Sequence, residues 1–193
     1  MAREHEAPFR ALHAAGEHMA LAGALVERYG PELLGYQQAI LRDEDAAQEA
    51  FQCFCEDMIH ALPSFRGEAS FRTWLYVIAR RRAVRPNRPP PAVPLSRVPE
   101  VAQLVAKTRT RTARYLQTGL KKKVRDLQAK LSEEEQTLLI LRVDRNMAWD
   151  DIAAILGEGA AADSARIRKR FQRTKDKLRR LAEEAGLLGE DAG

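Results

Sequence analysis

Between residues 86 and 99 the chain carries Pro86, Pro89, Pro90, Pro91, Pro94 and Pro99, six prolines in fourteen positions. Each proline fixes φ and removes an amide donor, so this density excludes regular helix or strand. The stretch reads as a semi-extended linker. The 193 residues therefore divide into a domain over 1–85, a linker over 86–100 and a second domain over 101–193, each with a modest core of its own.

Both domains read as helical. Leu25, Tyr29, Leu33, Tyr36 and Ile40 recur at steps of four and three, the period of a helix with one apolar face, and Gly30-Pro31 is expected to break or kink it. Asp43, Glu44 and Asp45 place negative charge where a helix macrodipole favours it. Ala47, Phe51, Phe54, Met58 and Leu62 then line one side of the helix they open, and Pro63 closes it. A loop through Gly67 leads to Ser70, a candidate N-cap, and to a helix that ends by Pro86. Residues 101 to 130 regain helical composition. Ser132 and Glu135 have the spacing of a capping box, and Leu138, Leu139, Leu141 and Val143 are expected to be core-forming in the helix that follows. Trp149, Ile152, Ala153 and Leu156 define a short helix ending at Gly157, and Ile167, Phe171, Thr174, Leu178 and Leu181 a longer one. The predicted fold class is all-α: two small helical domains joined by a Pro-rich linker, the second with a helix-turn-helix.

Charge is segregated along this chain. Residues 1 to 61 hold four basic and eleven acidic residues, a net of −7, whereas residues 62 to 130 hold seventeen and three, a net of +14. Residues 131 to 193 come to −2, yet nine cations fall between 163 and 181 against Asp163 and Asp176. Such separation suits a protein that meets a polyanion with some faces and a polar or basic protein surface with others. No apolar run approaches the roughly 18 residues of a membrane span, so no membrane insertion is expected. Residues 1 to 6 are polar with no apolar stretch behind them, so no secretory signal is expected and the cytoplasm is the default. Cys53 and Cys55, one residue apart on a helix, cannot complete a tetrahedral zinc site and read as buried or indifferent thiols.

The most informative stretch is residues 63 to 82. Phe71, Trp74, Leu75 and Ile78 fall on one side of a helix, and Arg72, Tyr76 and Arg80 form a ridge beside it. Rings can stack on unpaired bases while guanidinium groups hold phosphates. The alternative, aromatics as core and arginines as a solvated rim, stays open at this point. On the long helix of the second domain Arg166, Arg170, Arg173, Lys177 and Arg180 form a stripe next to the apolar one, extended by Arg168, Lys169 and Lys175. A second helix of this kind can enter a major groove, where cations bond guanine edges and phosphates. A plain helical hairpin with a solvated basic face is the competing reading.

No enzyme site emerges. The acidic pairs sit at helix ends, His5, His13, His18 and His60 are scattered, and neither a phosphate-cradling glycine loop nor metal spacing is present. No catalytic residue, cofactor or metal is expected.

Three blocks resemble the small two-domain bacterial sigma factors of the extracytoplasmic-function group, in the sigma-70 family. Asp43-Glu-Asp-Ala-Ala-Gln48-Glu-Ala-Phe51 is similar to the family's core-polymerase-binding helix. The run Phe65-Arg-Gly-Glu-Ala-Ser-Phe-Arg-Thr-Trp-Leu-Tyr-Val-Ile-Ala79 resembles its promoter-melting segment, and residues 131 to 181 its minus-thirty-five-reading domain. The resemblance implies a non-catalytic factor that binds core RNA polymerase and directs it to promoter DNA, with an anti-sigma protein as a further partner such factors can have. It implies polymerase contacts at Asp45, Gln48 and Glu49. Minus-ten contacts are implied at Phe65, Arg66, Arg72, Trp74, Tyr76 and Arg80, and minus-thirty-five contacts at Arg166, Arg168, Lys169, Arg170, Arg173 and Lys177. A DNA-binding regulator, or a sigma-like protein without promoter-opening activity, is the alternative. The chain departs from the family pattern after Ala79, where it reads Arg80-Arg81-Arg82-Ala83-Val84-Arg85-Pro86-Asn87, and in a longer turn over residues 158 to 162. Promoter sequence therefore does not carry over.

Overall fold

The computed structural model describes residues 6–85, 102–103, 105–108, 127, 129–157 and 162–186. The regular elements among them are all helical. The chain forms two compact units, Met1–Leu116 and Gln117–Gly193. The linker over 86–100, the lysines at 121 to 123 and most of the turn over 158–162 lie outside the described residues.

The first unit holds α1 (Ala7–Ala14), α2 (His18–Leu41), α3 (Glu44–Ala61), a 3-10 turn (Leu62–Ser64) and α4 (Phe71–Val84). Helices α2, α3 and α4 pack on one another around Leu25, Leu33, Leu34, Tyr36, Phe51, Phe54, Met58, Phe71, Leu75 and Tyr76. Burial of each such side chain contributes roughly 1.5–3 kcal/mol. Gly30-Pro31 does not break α2, which runs through Pro31. Proline costs the helix one backbone hydrogen bond, and the buried Leu33, Leu34 and Tyr36 beyond it hold the next turns against the core. Asp43 caps α3 by accepting the Ala46 amide at 2.8 Å, and Ser70, the expected N-cap, caps α4 by accepting the Thr73 amide at 3.0 Å.

Two polar ties fasten α4 inside this apolar bundle. Gln37 Nε2 donates to the Ala79 carbonyl at 3.2 Å, joining α2 to α4. Arg82, with a side chain only 3% exposed, makes a forked contact to Asp57 of α3 at 2.6 and 2.7 Å. The bidentate geometry compensates a desolvation that neither charge would survive alone.

The division between the units falls later than the boundary expected after residue 100. Val105 and Thr108 are buried. Gly30 of α2 makes room for Thr108, since a Cβ there would come within 3.2 Å of Thr108 Oγ1 and 3.4 Å of the Phe51 ring. Residues 105–108 therefore pack with the first unit.

The second unit is α5 (Glu133–Leu139), a π-helical turn (Ile140–Asp144), α6 (Trp149–Leu156) and α7 (Ala162–Glu184). The capping box is formed: Glu135 N–H donates to Ser132 Oγ at 3.2 Å and Ser132 N–H to Glu135 Oε2 at 2.8 Å. Val143, expected in the core, is 62% exposed. The wider π turn, closed by the Arg145 amide on the Ile140 carbonyl at 3.0 Å, shifts the helical register, and Met147 is buried. Gly157 ends α6 in the left-handed region at φ 77°. Two ion pairs tie α7 to α5, Arg170 to Glu134 and Lys177 to Glu135, the latter at 2.7 Å.

Asp57→Ala should leave the Arg82 guanidinium buried without its counter-charge and cost about 3 kcal/mol, read as a lower urea midpoint. Asp57→Leu combined with Arg82→Met should restore most of that loss. In the second unit, burial acts to raise the Glu135 carboxyl, but the Lys177 ammonium and the Ser132 amide outweigh it and hold the carboxyl below its ordinary value of 4.5. A carboxyl depressed on folding stabilises the folded state above its unfolded pKa and loses that contribution as pH falls through the folded one. The wild-type chain should thus lose stability in this unit below about pH 4.5, and thermal melts of Glu135→Gln should show a flatter acid limb.

Candidate nucleic-acid and polymerase interfaces

The loop between α3 and α4 is built on aromatic contacts. Phe71, at the first position of α4, is fully buried. Phe65 stacks on it with centroids 4.3 Å apart and an interplanar angle of 27°. Trp74, one turn further along α4, lies 5.1 Å from Phe65 in a tilted arrangement. Phe65 and Trp74 are both half-buried, so each keeps part of its ring in solvent. Arg66 next to them is 84% exposed and only loosely paired with Glu68, at 3.9 Å. Gly67 turns the chain at φ 72°, in the region open to glycine. The result is a small platform of two rings with a solvated guanidinium at its edge.

The ridge expected beside that platform is only partly there. Tyr76 is fully buried, its ring 5.5 Å from Tyr36 in an edge-to-face pair; it belongs to the core and cannot reach a base. Arg72 is committed to Glu32 of α2, Nε to Oε1 at 2.8 Å and Nη2 to Oε2 at 3.0 Å. Burial acts to lower the Arg72 guanidinium, but the Glu32 contact prevails and keeps it above its ordinary value. Its charge serves the packing of α4 on α2. Arg80 is half-buried. Of the three consecutive arginines, Arg81 is the exposed one and Arg82 the buried one, a distinction that the run itself does not carry.

On α3, Asp45 and Glu49 are exposed, one turn apart, and Gln48 is half-buried with its amide 3.4 Å from Glu44. Gln52 is exposed on the same face and was not singled out from the sequence. Ala47, Phe51 and Phe54 on the opposite side are buried, so the helix presents an acidic, uncovered face beside an apolar anchored one.

In the second unit α6 packs against α7. Trp149, at the start of α6, is half-buried beneath two guanidinium groups, Arg142 at 4.7 Å and Arg168 at 5.9 Å from its ring centroid, with Phe171 edge-on at 5.3 Å. Ile167 and Thr174 are buried against the unit. The cationic stripe expected on α7 splits in two. Arg170 and Lys177 turn toward Glu134 and Glu135. Arg166, Lys169, Arg173 and Arg180 are exposed, and their spacing puts them along one outward side of the helix. Arg168 is exposed as well but leans over Trp149. No group of three or more potential metal ligands occurs among the described residues.

Residues 25–87, spanning most of α2 and all of α3 and α4, match the family model of Sigma-70 region 2. The chain is 29% identical over 134 residues to RNA polymerase sigma factor YlaC of Bacillus subtilis, an overlap of 69% of this chain and 78% of that protein. It is 27% identical over 140 residues to the RNA polymerase sigma-H factor of Pseudomonas aeruginosa, covering 68% of this chain and 72% of that protein. The acidic face on α3 and the ring platform at the head of α4 both lie within the segment that matches Sigma-70 region 2, and the chain as a whole is similar to RNA polymerase sigma factors.

Proposed function

We propose that this sigma factor directs transcription initiation through three surfaces, each with a separate task. The exposed acidic face of α3, with Asp45, Gln48 and Glu49, docks on core RNA polymerase. The Phe65 and Trp74 rings take up unstacked non-template bases of the minus-ten element, with Arg66 on the neighbouring phosphate. Arg166, Lys169 and Arg173 of α7 hold duplex DNA at the minus-thirty-five element. The amino-terminal domain thus serves polymerase and minus-ten DNA, and the carboxy-terminal one serves the upstream element. The factor is non-catalytic and acts in the cytoplasm, where polymerase and promoter are; no helix among the described residues is long and apolar enough to cross a membrane.

The observation that carries this reading is the half-exposed Phe65 and Trp74 pair next to the solvated Arg66. A base leaving the duplex loses stacking worth a few kcal/mol per step, and a ring platform returns roughly 1–3 kcal/mol per base. The balance is close, so capture follows only when polymerase contacts and the upstream duplex contacts hold the DNA in place.

Run-off transcription tests it. Purified chain with core polymerase should yield transcripts from promoters selected out of genomic DNA, and Trp74→Ala should abolish opening while leaving upstream duplex binding in place. Absence of any transcript with the wild-type chain would refute the proposal. Asp45→Lys with Glu49→Lys should reduce co-purification with core polymerase at least tenfold, an estimate set by like-charge contacts at an interface, with an unchanged melting curve. Replacing Arg166, Lys169 and Arg173 by alanine should lower the slope of log K against log salt by about 0.9 per lost phosphate contact. Removing Arg170 should instead loosen the second unit, seen as a lower melting temperature.

A further inference from the structure

Helix α1 lies before the residues that match Sigma-70 region 2, yet it touches the loop ahead of α4 at both ends and at its turn. At the start of the loop His13 Nε2 is 3.1 Å from the Leu62 carbonyl; a carbonyl can only accept, so the proton sits on Nε2. The same imidazole lies edge-on to Phe65 at 5.6 Å and to Phe71 at 6.2 Å. At the far end the buried Glu6 accepts the Arg72 amide at 3.3 Å, satisfying a donor in the first turn of α4. Between them Phe9 packs on Phe71 with centroids 6.1 Å apart. Glu6, Arg10 and His13 are spaced four and three apart, on one side of the helix.

Arg10 stands over the turn itself. Its Nη1 is 3.6 Å from the position that a Cβ on Gly67 would occupy. Its nearest counter-charge is Glu6 at 3.7 Å, and 43% of the side chain is exposed. Arg10 and Arg66 therefore supply positive charge at the loop that carries Phe65.

We propose that α1 is a working part of the single-strand site: Glu6 and His13 are positioning residues that hold the loop in its base-accepting shape, and Arg10 contacts a phosphate of the captured strand. This rests on the minus-ten reading of Phe65 and Trp74 given above. Stacking on the platform returns about as much per base as unstacking consumes, so the loop must be ordered before DNA arrives if capture is not to lose affinity to the ordering of its own residues. Two hydrogen bonds and three ring contacts from one short helix supply that order.

The test uses the full chain assembled with core polymerase. The probe is a single-stranded non-template oligonucleotide covering the minus-ten stretch of a promoter recovered with the wild-type holoenzyme, with 2-aminopurine at the unstacked position. His13→Ala and Glu6→Ala should each weaken its capture about five- to tenfold, the equivalent of one lost hydrogen bond. His13→Gln, which keeps a donor at the same reach, should recover most of the loss. Arg10→Ala should reduce the salt slope for the oligonucleotide by about 0.7, and Arg10→Lys should restore it. Duplex binding upstream and the melting temperature are read in parallel. Capture by His13→Ala and Glu6→Ala at wild-type strength overturns the inference, as does a loss that melting and upstream binding share in equal measure. If the wild-type holoenzyme itself fails to take up the oligonucleotide, the minus-ten reading falls and this inference falls with it.

Discussion

The Phe71 ring is the fixed point of the first unit. It starts α4, is sealed from solvent, and receives Phe9 and His13 from α1 and Phe65 from the loop. A ring in this position does more than fill volume. Offset and edge-to-face contacts define orientation as well as distance, so the angle at which Phe65 leaves the core, and hence the part of its surface that meets solvent, follows from how Phe71 is held. Ser70 capping Thr73 fixes the helix start one residue earlier, and Trp74 falls on the same side three residues later. Without that ring the loop would have a glycine turn and an arginine but no defined surface.

The cations of this chain fall into two populations that look alike in sequence. Arg72, Arg82, Arg170 and Lys177 are drawn to Glu32, Asp57, Glu134 and Glu135 and fasten one helix to another. Arg66, Arg81, Arg166, Lys169 and Arg173 remain in solvent. Of these two groups, only the second is free to release counterions from DNA. The first group shapes the surfaces on which the second is displayed: Arg72 draws α4 toward α2, and Arg170 with Lys177 sets the roll of α7 so that Arg166, Lys169 and Arg173 point outward. A basic stripe read from helical period is thus divided by acidic partners 36 and 42 residues away in the chain, at a distance that no local pattern encodes.

What could be read from the chain follows the same division between local and distant causes. The capping box at Ser132, the Ser70 cap, the glycine stop at Gly157 and the apolar faces of α3 and α7 depend on neighbours within a turn or two, and they stand where periodicity put them. The burial of Tyr76 depends on Tyr36 across the bundle, and its place beside two arginines gave the opposite impression. Val143 fell out of register because the helix opens into a π turn after Leu139, and nothing in the period of leucines before it signals the change. Helix α1 was missed altogether: it is short, with one buried side chain of its own, and it gains its stability from α2 and α4. Proline at its first turn and Phe9 were the available signals, too few to stand out in an amino-terminal stretch.

On the function proposed above, these constraints also explain why the surfaces would have to act together. The ring platform offers about as much stacking energy as unstacking a base step consumes, so a platform alone leaves the duplex closed. In the proposed mechanism, binding at α3 and at α7 would tip the balance by making capture intramolecular, with an effective concentration that a free strand never reaches. Under that condition a small gain in loop order is expressed in full, because the DNA already lies within reach and little else opposes insertion. A site of two half-buried rings is therefore sufficient, provided that it is rigid, and the buried contacts around Phe71 are what make it so.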